Sequence, residues 1–405
     1  VAHTLIIGGG IGGFSLAQSL RKLGWDGLIT IVDPHGLPYD RPPLSKEIMQ
    51  GTKKHDDLLL APAEWFEENR VEVVQGEAIA VDGVNKTVTL KDSQKLGYDN
   101  LVIATGGVPR VLPLPGFNHP EILSLRTIED AETLKSRLSP GVDLAIVGAG
   151  LIGAELAGSA VDLGAQVTLI DPAPVALVPA VGEEIATRLH NMHDDHGVTY
   201  INGLTEEINY HDDGDHAFTV KIKGHDSLAA DVVVVAVGIT AEEALARSAE
   251  LDFDNGILVD EAQQSSVPGI WAIGDCARTR REDGALERRH EHWENAVHTA
   301  QTAAAAIAGT DLPQHGAGWF WSDRYGVHVE GVGDMSLPGS TVVRKDSNGH
   351  PAVAFRITND GRVVGAAAVD DSMAVRAARR MIDRGLSPDP DKLADPGENL
   401  KKLAR

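Results

Sequence analysis

At 405 residues, 42% of them hydrophobic, the chain exceeds what one core sustains, about 250 to 300 residues, so two or three domains are expected. A formal net charge of −23 excludes nucleic acid as a partner for the whole molecule, because phosphate contacts need clustered Lys and Arg. The single cysteine, Cys276, excludes an internal disulfide and any CxxC redox or metal motif, and no apolar run reaches the 18 or so residues of a membrane span.

The amino terminus runs straight into a strand and a glycine turn rather than a leader peptide, so a cytoplasmic location is expected. His3 to Ile7 is a short apolar run, followed by Gly8-Gly9-Gly10-Ile11-Gly12-Gly13, a helix pattern from Phe14 to Leu23, and a second apolar run from Leu28 to Val32 that ends at Asp33. Strand, glycine turn, helix, strand and terminal acid make a dinucleotide-binding unit. Gly8 permits the tight turn, Gly10 lets a pyrophosphate approach the backbone, and Gly13 lets the helix lie on the sheet; the helix amino terminus offers N–H groups to the phosphates. Asp33 is the expected partner of the adenosine ribose.

The pattern recurs at Asp143 to Val147, Gly148-Ala149-Gly150-Leu151-Ile152-Gly153, a helix from Ala154 to Leu163, and a strand from Gln166 to Ile170 ending at Asp171. Two sites on one chain are redundant for a simple dehydrogenase. One nucleotide is therefore expected to be a resident flavin and the other an exchanging nicotinamide. The Asp171 carboxylate suits a free ribose 2′-hydroxyl and repels a 2′-phosphate, and Pro172, Ala173, Pro174 and Val175 bring no Arg or Lys, so NADH is expected over NADPH. Leu101 to Gly106 and Val232 to Gly238 read as buried strands that close each nucleotide-binding sheet. Gly269 to Ala277 reads as a strand ending in Gly-Asp, with Asp275 placed to accept from a ligand hydroxyl such as a ribityl chain.

No metal site is expected. His190, His193 and His196 recur every third residue on a helix without a partner set and read as a solvated face; His290-Glu291-His292 departs from H-E-x-x-H; Asp194-Asp195 and Asp212-Asp213 read as polar turns without calcium-loop spacing. After residue 310, Val327 to Val332, Thr341 to Arg344, Val353 to Ile357 and Val363 to Val369 look like strands and Met373 to Arg384 like a helix, an α+β domain. From Thr310 to Arg405 there are 13 acidic and 13 basic residues, so the excess negative charge lies in the earlier segments. Arg344-Lys345 and Arg376, Arg379, Arg380 and Arg384 concentrate positive charge in this neutral tail.

The order of these motifs resembles the glutathione-reductase-like flavoproteins with two dinucleotide sites, over essentially the whole chain. Within that superfamily, Pro38-Tyr39-Asp40-Arg41-Pro42-Pro43-Leu44-Ser45-Lys46 and Trp319-Phe320-Trp321-Ser322-Asp323 resemble the NADH-dependent, FAD-containing ferredoxin reductases of bacterial oxygenase systems, the putidaredoxin reductase and biphenyl dioxygenase ferredoxin reductase type. The resemblance implies an α/β fold: two Rossmann-like dinucleotide-binding domains, FAD in 1–110 and 236–309 and NAD in 111–235, plus a C-terminal α+β domain, 310–405. It implies Lys46 beside the flavin ring and Glu155 on the nicotinamide side, with an ion pair between them, and flavin contacts at Arg126, Asp275 and Trp321. It extends cofactor contact to Gly12, Arg41, Ala78, Thr105, Gly106, Ile152 and Gly238. Where relatives often read Ser-Val-Pro-Asn-Ala, this chain has His292-Trp293-Glu294-Asn295-Ala296, which moves that flavin contact to Trp293.

The related disulfide reductases carry redox cysteines soon after the first unit, whereas residues 36–46 here carry none. Electrons are therefore expected to leave to an external carrier, an acidic iron–sulfur ferredoxin serving an oxygenase. Rubredoxin, a quinone or oxygen as acceptor stays open, as does a redox-sensing interaction protein resembling apoptosis-inducing factor.

Overall fold

The strand His3–Ile7 is buried at four of its five positions and lies in the middle of a parallel sheet in the order Ile270–Ala272, Asn100–Ile103, His3–Ile7, Leu28–Asp33, Val71–Gln75. A strand covered on both faces must be continuously apolar, and Leu5, Ile6, Leu101, Val102 and Ile103 are fully buried. The computed structural model describes residues 1–405, and its packing divides into two units. The first comprises Val1–Arg41, Lys53–Val108 and Ile239–His315, the second Pro42–Thr52, Pro109–Gly238 and Gly316–Arg405.

In the first unit, the helices Ile11–Lys22 and Trp293–Ala308 cover one face of the parallel sheet. Phe14, Leu16, Leu20, Ala300, Ala303 and Ala304 share a core there, and the small alanines let the two helices approach closely. The other face packs on the antiparallel strands Ala78–Asp82, Thr87–Leu90 and Lys95–Gly97 through Val81, Val88 and Leu90. One expectation is corrected here. Leu101 to Gly106 does not close the sheet; its strand has His3–Ile7 on one side and Ile270–Ala272 on the other. The edge strand comes from far along the chain, which no local pattern signals.

The second unit repeats the parallel motif in the order Thr199–Asn202, Gln166–Asp171, Asp143–Val147, Val232–Val235, with the last strand at the edge. An antiparallel sheet of five strands follows, in the order Trp319–Arg324, Val327–Gly333, Val363–Val369, Pro351–Ile357, Ser340–Lys345. The helix Ser372–Asp383 buries Ala374, Val375, Ala378 and Met381, an i, i+1, i+4 pattern that makes one apolar stripe. Asp371 caps its start by accepting from the Ala374 N–H at 3.0 Å, and Gly385, at φ 63°, ends it. The other face of this sheet receives the helix Glu183–Asp195, where Ile185, Ala186 and Leu189 meet Val329, Ala354, Ala367 and Val369. Truncating Leu189 to Ala there should cost about 2 to 5 kcal/mol. The fold is thus α/β with a C-terminal α+β part, and no helix is long and apolar enough to cross a membrane.

That packing corrects three sequence readings. His193 is 2% exposed and its Nδ1 lies 2.7 Å from the Tyr325 hydroxyl, so this histidine is not part of a solvated face, whereas His190 is half-buried and His196 is exposed. Asp194 and Asp195 form the last turn of that helix, not a polar turn. Arg344 is 8% exposed and donates to the carbonyls of Leu393, Glu398 and Lys392 at 2.9, 3.1 and 3.2 Å, so it anchors the carboxyl-terminal segment and presents no cation to a partner. Arg384 donates to the Ala404 carbonyl at 3.2 Å but stays exposed.

Candidate cofactor loops and the Lys46 charge cluster

Gly8 has φ 110°, and a Cβ there would stand 2.1 Å from the Ala104 carbonyl oxygen. One at Gly13 would stand 2.0 Å from the Gly8 carbonyl oxygen. Both positions therefore demand glycine for reasons internal to the fold. Gly10 does not: its φ is −77°, and the only atom near an added Cβ is the far end of Arg41, Nη1 at 3.2 Å. The helix that begins here has no side-chain cap and no acid in its first turn, so its leading N–H groups are free for an anion. Arg41 Nε is buried and without a partner in the protein. A guanidinium beside a bare helix amino terminus is the donor set a pyrophosphate takes. Asp33, buried, accepts from the N–H groups of Gly9 and His35, both at 2.8 Å, which fixes its carboxylate beside the loop.

The second loop reproduces this geometry. Gly148 has φ 106° and an added Cβ would meet the Ala236 carbonyl oxygen at 2.2 Å; at Gly153 it would meet the Gly148 carbonyl oxygen at 2.0 Å. Around Gly150 there is nothing within 4 Å, and the helix Leu151–Asp162 is again uncapped and without an acid in its first turn. Asp171 accepts from the Ala149 N–H at 2.9 Å and the Ala173 N–H at 2.8 Å. Ile152 is 41% exposed, an apolar side chain left open in the first helical turn. Thr105 and Gly106 follow the Ala104 that backs Gly8, as Val237 and Gly238 follow the Ala236 that backs Gly148.

Other expected contacts are spread over both units. In the first, Asp275 sits in the turn Gly274–Cys276 after the edge strand, its backbone carbonyl accepting from Arg289 Nη1 at 2.7 Å. The preceding Ile273 lies beside Gly12 and Ala296, which brings this turn to the first glycine helix. Trp293 opens the helix Trp293–Ala308 and donates from Nε1 to Asp40 Oδ1 at 2.9 Å, next to Arg41; burial pushes the Asp40 carboxyl upward. Ala78, half-buried, starts its antiparallel strand opposite Leu90. In the second unit, Arg126 precedes the helix Ile128–Arg137, its N–H held by Asp130 at 2.9 Å.

Lys46 and Glu155 come together in the second unit, Nζ to Oε1 3.2 Å apart, as the resemblance implied. Glu155 is buried on the helix Leu151–Asp162 and accepts from Ser45 Oγ at 2.7 Å, Ser322 Oγ at 2.9 Å and the Asp323 N–H at 2.9 Å. A buried carboxylate survives only when paired and bonded in this way. Lys46 also donates to Asp323 Oδ2 at 2.6 Å. Burial works against the ammonium, but the charge of Glu155 and the bond to Asp323 outweigh it and hold the Lys46 pKa above its ordinary value. Its Nζ lies 5.7 Å from the centre of the Trp321 ring, which is stacked on Trp319 at 5.0 Å.

The sequence reading missed the rest of the cluster. Asp323 Oδ1 meets His328 Nδ1 at 2.6 Å, and His328 Nε2 meets Glu330 Oε1 at 2.8 Å. Ser372 Oγ donates to the same Glu330 oxygen at 2.7 Å. A signal existed, since His328 and Glu330 alternate along one strand and so share a face. A second titratable group, Asp143, His216 and Asp231, has its ligand atoms within 4.8 Å of one another, but it is partly exposed and His216 is already bonded to Asp231 at 2.9 Å.

Comparison with known proteins agrees with this architecture. The family model for pyridine nucleotide-disulphide oxidoreductases matches residues 2–300, and that for the reductase C-terminal domain matches residues 319–404. The chain is 33% identical to the benzene 1,2-dioxygenase system ferredoxin–NAD(+) reductase subunit of Pseudomonas putida, covering 100% of this chain and 98% of that one. Among solved structures it is similar to the ferredoxin reductase for the CYP199A2 system of Rhodopseudomonas palustris, with TM-score 0.93 and 30% identity over 100% of both chains. It is also similar to the reductase of the covalent putidaredoxin reductase–putidaredoxin complex, with TM-score 0.91 and 30% identity over 99% of this chain and 98% of that one. Two glycine loops of one geometry, each backed by a carboxylate, and a matched carboxyl-terminal domain together make this chain a member of the pyridine nucleotide-disulphide oxidoreductase family.

Proposed function

We propose that the protein is a cytoplasmic FAD-dependent NADH:ferredoxin oxidoreductase, which takes hydride from NADH and delivers single electrons to an iron–sulfur ferredoxin that serves an oxygenase. The observation that carries this reading is the pair of glycine loops together with the thiol inventory: the only cysteine, Cys276, is fully buried, so no dithiol can take the electrons onward. Relatives named above are ferredoxin reductases of a benzene 1,2-dioxygenase system and of the CYP199A2 system, which supports the same acceptor class.

FAD is assigned to 1–110 and 236–309, NADH to 111–235, and the remaining 310–405 to the reductase C-terminal domain. Bound flavin supplies the conversion of a two-electron donor into two one-electron transfers. Gly8, Gly10, Gly12 and Gly13 receive its pyrophosphate with Arg41, Asp33 takes the adenosine ribose, and Asp275 the ribityl chain; Ala78, Thr105, Gly106, Arg126, Trp293 and Trp321 complete the contacts. Gly148, Gly150, Ile152, Gly153, Asp171 and Gly238 receive NADH. Lys46 holds a fixed positive charge beside the flavin, and Glu155 orients that ammonium.

The test is an anaerobic titration. The purified protein should be yellow, bleach with stoichiometric NADH, and recover its colour when an oxidised ferredoxin is added. A flavin-loaded protein that NADH does not bleach would overturn the reading. One that bleaches but passes electrons only to a quinone or oxygen would overturn the acceptor.

A further inference from the structure

The charge cluster runs outward from a buried end to an open one. The side chains of Glu155 and Lys46 are 8% and 12% exposed, whereas those of Asp323 and His328 are 40% and 37% exposed. A cavity of about 300 Å³ lined by Lys46, Asp162, Asp323, Tyr325, His328 and Asp370 gives that outer end access to solvent. Both Asp323 oxygens are committed, Oδ2 to Lys46 and Oδ1 to His328. One carboxylate thus divides its charge between a permanent cation and a titratable one.

We propose that Asp323 is a positioning residue for the Lys46–Glu155 pair, and that the protonation state of His328 sets how strongly Asp323 holds the Lys46 ammonium. A protonated imidazole donates from both ring nitrogens, to Asp323 and to Glu330, and draws on the Asp323 charge. Loss of that proton leaves one ring N–H for Asp323 and Glu330 to share, frees more of the Asp323 charge for Lys46 and makes the cluster one unit more negative. The groups that face His328 favour its charged form. Asp323 and Glu330 bond to the ring, and Asp370 accepts from its backbone N–H at 2.8 Å. Ser372 donates to Glu330, and Lys46 and Glu155 lie behind Asp323. Burial alone would lower the His328 pKa, but the bonds to Asp323 and Glu330 outweigh it and raise it above the ordinary histidine value. The ring therefore stays charged below that ordinary value and loses its proton as pH rises beyond it.

The bearing on turnover rests on the function proposed above. A redox group whose reduction adds negative charge is harder to reduce beside a more negative cluster, so deprotonation of His328 should lower the flavin midpoint potential. Three variants of the holoprotein test this: Asp323→Asn, His328→Gln and His328→Arg. Lysines are methylated with a carbon-13 label, Lys46 is assigned by its loss in Lys46→Arg, and its titration is followed by NMR. The flavin midpoint potential is measured against pH in parallel. Asp323→Asn should move the Lys46 titration down and slow flavin reduction by NADH about tenfold, the worth of one charge-assisted hydrogen bond. The wild-type potential should show an inflection where the His328 ring titrates. His328→Gln and His328→Arg should both lack it: His328→Gln should lie below wild type on the acid side of the inflection and meet it beyond, whereas His328→Arg should follow wild type on the acid side and lie above it beyond. An unchanged Lys46 titration in Asp323→Asn, or the same inflection in both His328 variants, overturns the proposal. If wild type is not reduced by NADH at all, the proposed function falls while the Lys46 titration still decides the role of Asp323.

Discussion

Gly150 separates what the fold requires from what a ligand requires. Its φ is −67° and nothing stands within 4 Å of where a Cβ would go, so the protein itself has no use for glycine there. Gly150→Ala should leave stability within about 0.5 kcal/mol of wild type while raising the KM for NADH about tenfold, because the methyl group occupies the path of the pyrophosphate. Gly148→Ala, by contrast, should destabilise by about 1 to 3 kcal/mol, since it forces a positive φ and a 2.2 Å contact with backbone. Urea titration and steady-state kinetics separate the two effects; equal destabilisation at both positions would contradict the assignment. Asp171 carries the second residue-scale prediction. Its carboxylate is fixed by two backbone N–H groups; with the adenosine ribose seated there as proposed, it would repel a 2′-phosphate, so wild type should prefer NADH over NADPH by at least about tenfold in kcat/KM. Asp171→Ala should narrow that ratio, and a wild type that uses the two equally would show the carboxylate has another task. These residues were legible in the sequence because the demands on a glycine turn are local. Asp323, His328 and Glu330 were not, because their meaning depends on Lys46 and Glu155 arriving from two other parts of the chain.

Among the elements, four strands and the helix of the carboxyl-terminal sheet were readable from alternation and helical spacing, whereas the fifth strand, Trp319–Arg324, the strand order and the partner of each helix face were not. The helix Glu183–Asp195 shows the difference. Its histidines recur at a spacing that suits a polar surface, yet Tyr325 bonds to His193, which is buried, while it stacks at 4.2 Å on His196, which stays exposed. Burial, with the nearby charge of Arg324, lowers the His193 pKa to about 3. A depressed pKa means that the unfolded chain binds a proton the folded one refuses. The stability from a neutral His193 is therefore complete above the unfolded-state value of about 6.5 and is lost as pH falls toward the folded value, by about 1.4 kcal/mol per pH unit. Replacing His193 with Asn keeps an acceptor near the Tyr325 hydroxyl and removes the titration. Urea midpoints at pH 6.5 and 5.5 should fall further in wild type than in His193→Asn; parallel lines would show that the ring is protonated in the folded state.

Charge acts on the whole molecule. At −23 the protein should repel an acidic iron–sulfur carrier unless part of its surface is locally cationic. Of the basic residues in the carboxyl-terminal part, Arg344 is spent on three backbone carbonyls, whereas Lys345 and Arg384 stay exposed, the latter also bonding to the chain end. Arg376 and Arg380 remain exposed, four residues apart on the helix Ser372–Asp383 and so on one face of it, opposite the stripe that Val375, Ala378 and Met381 bury. If that face steers the ferredoxin, reduction of the carrier should slow as salt rises, because attraction beyond a Debye length of about 8 Å is screened. Reversing both charges, Arg376→Glu with Arg380→Glu, should slow ferredoxin reduction about tenfold at low salt, with the gap closing at high salt. The rate at which NADH reduces the flavin, and the rate with a small neutral dye, should not change, since neither residue belongs to the cofactor loops or the Lys46 cluster. Stopped-flow traces with carrier and with dye, at low and high salt, decide the matter: a double variant that reduces ferredoxin at the wild-type rate at low salt would move the docking face away from this helix.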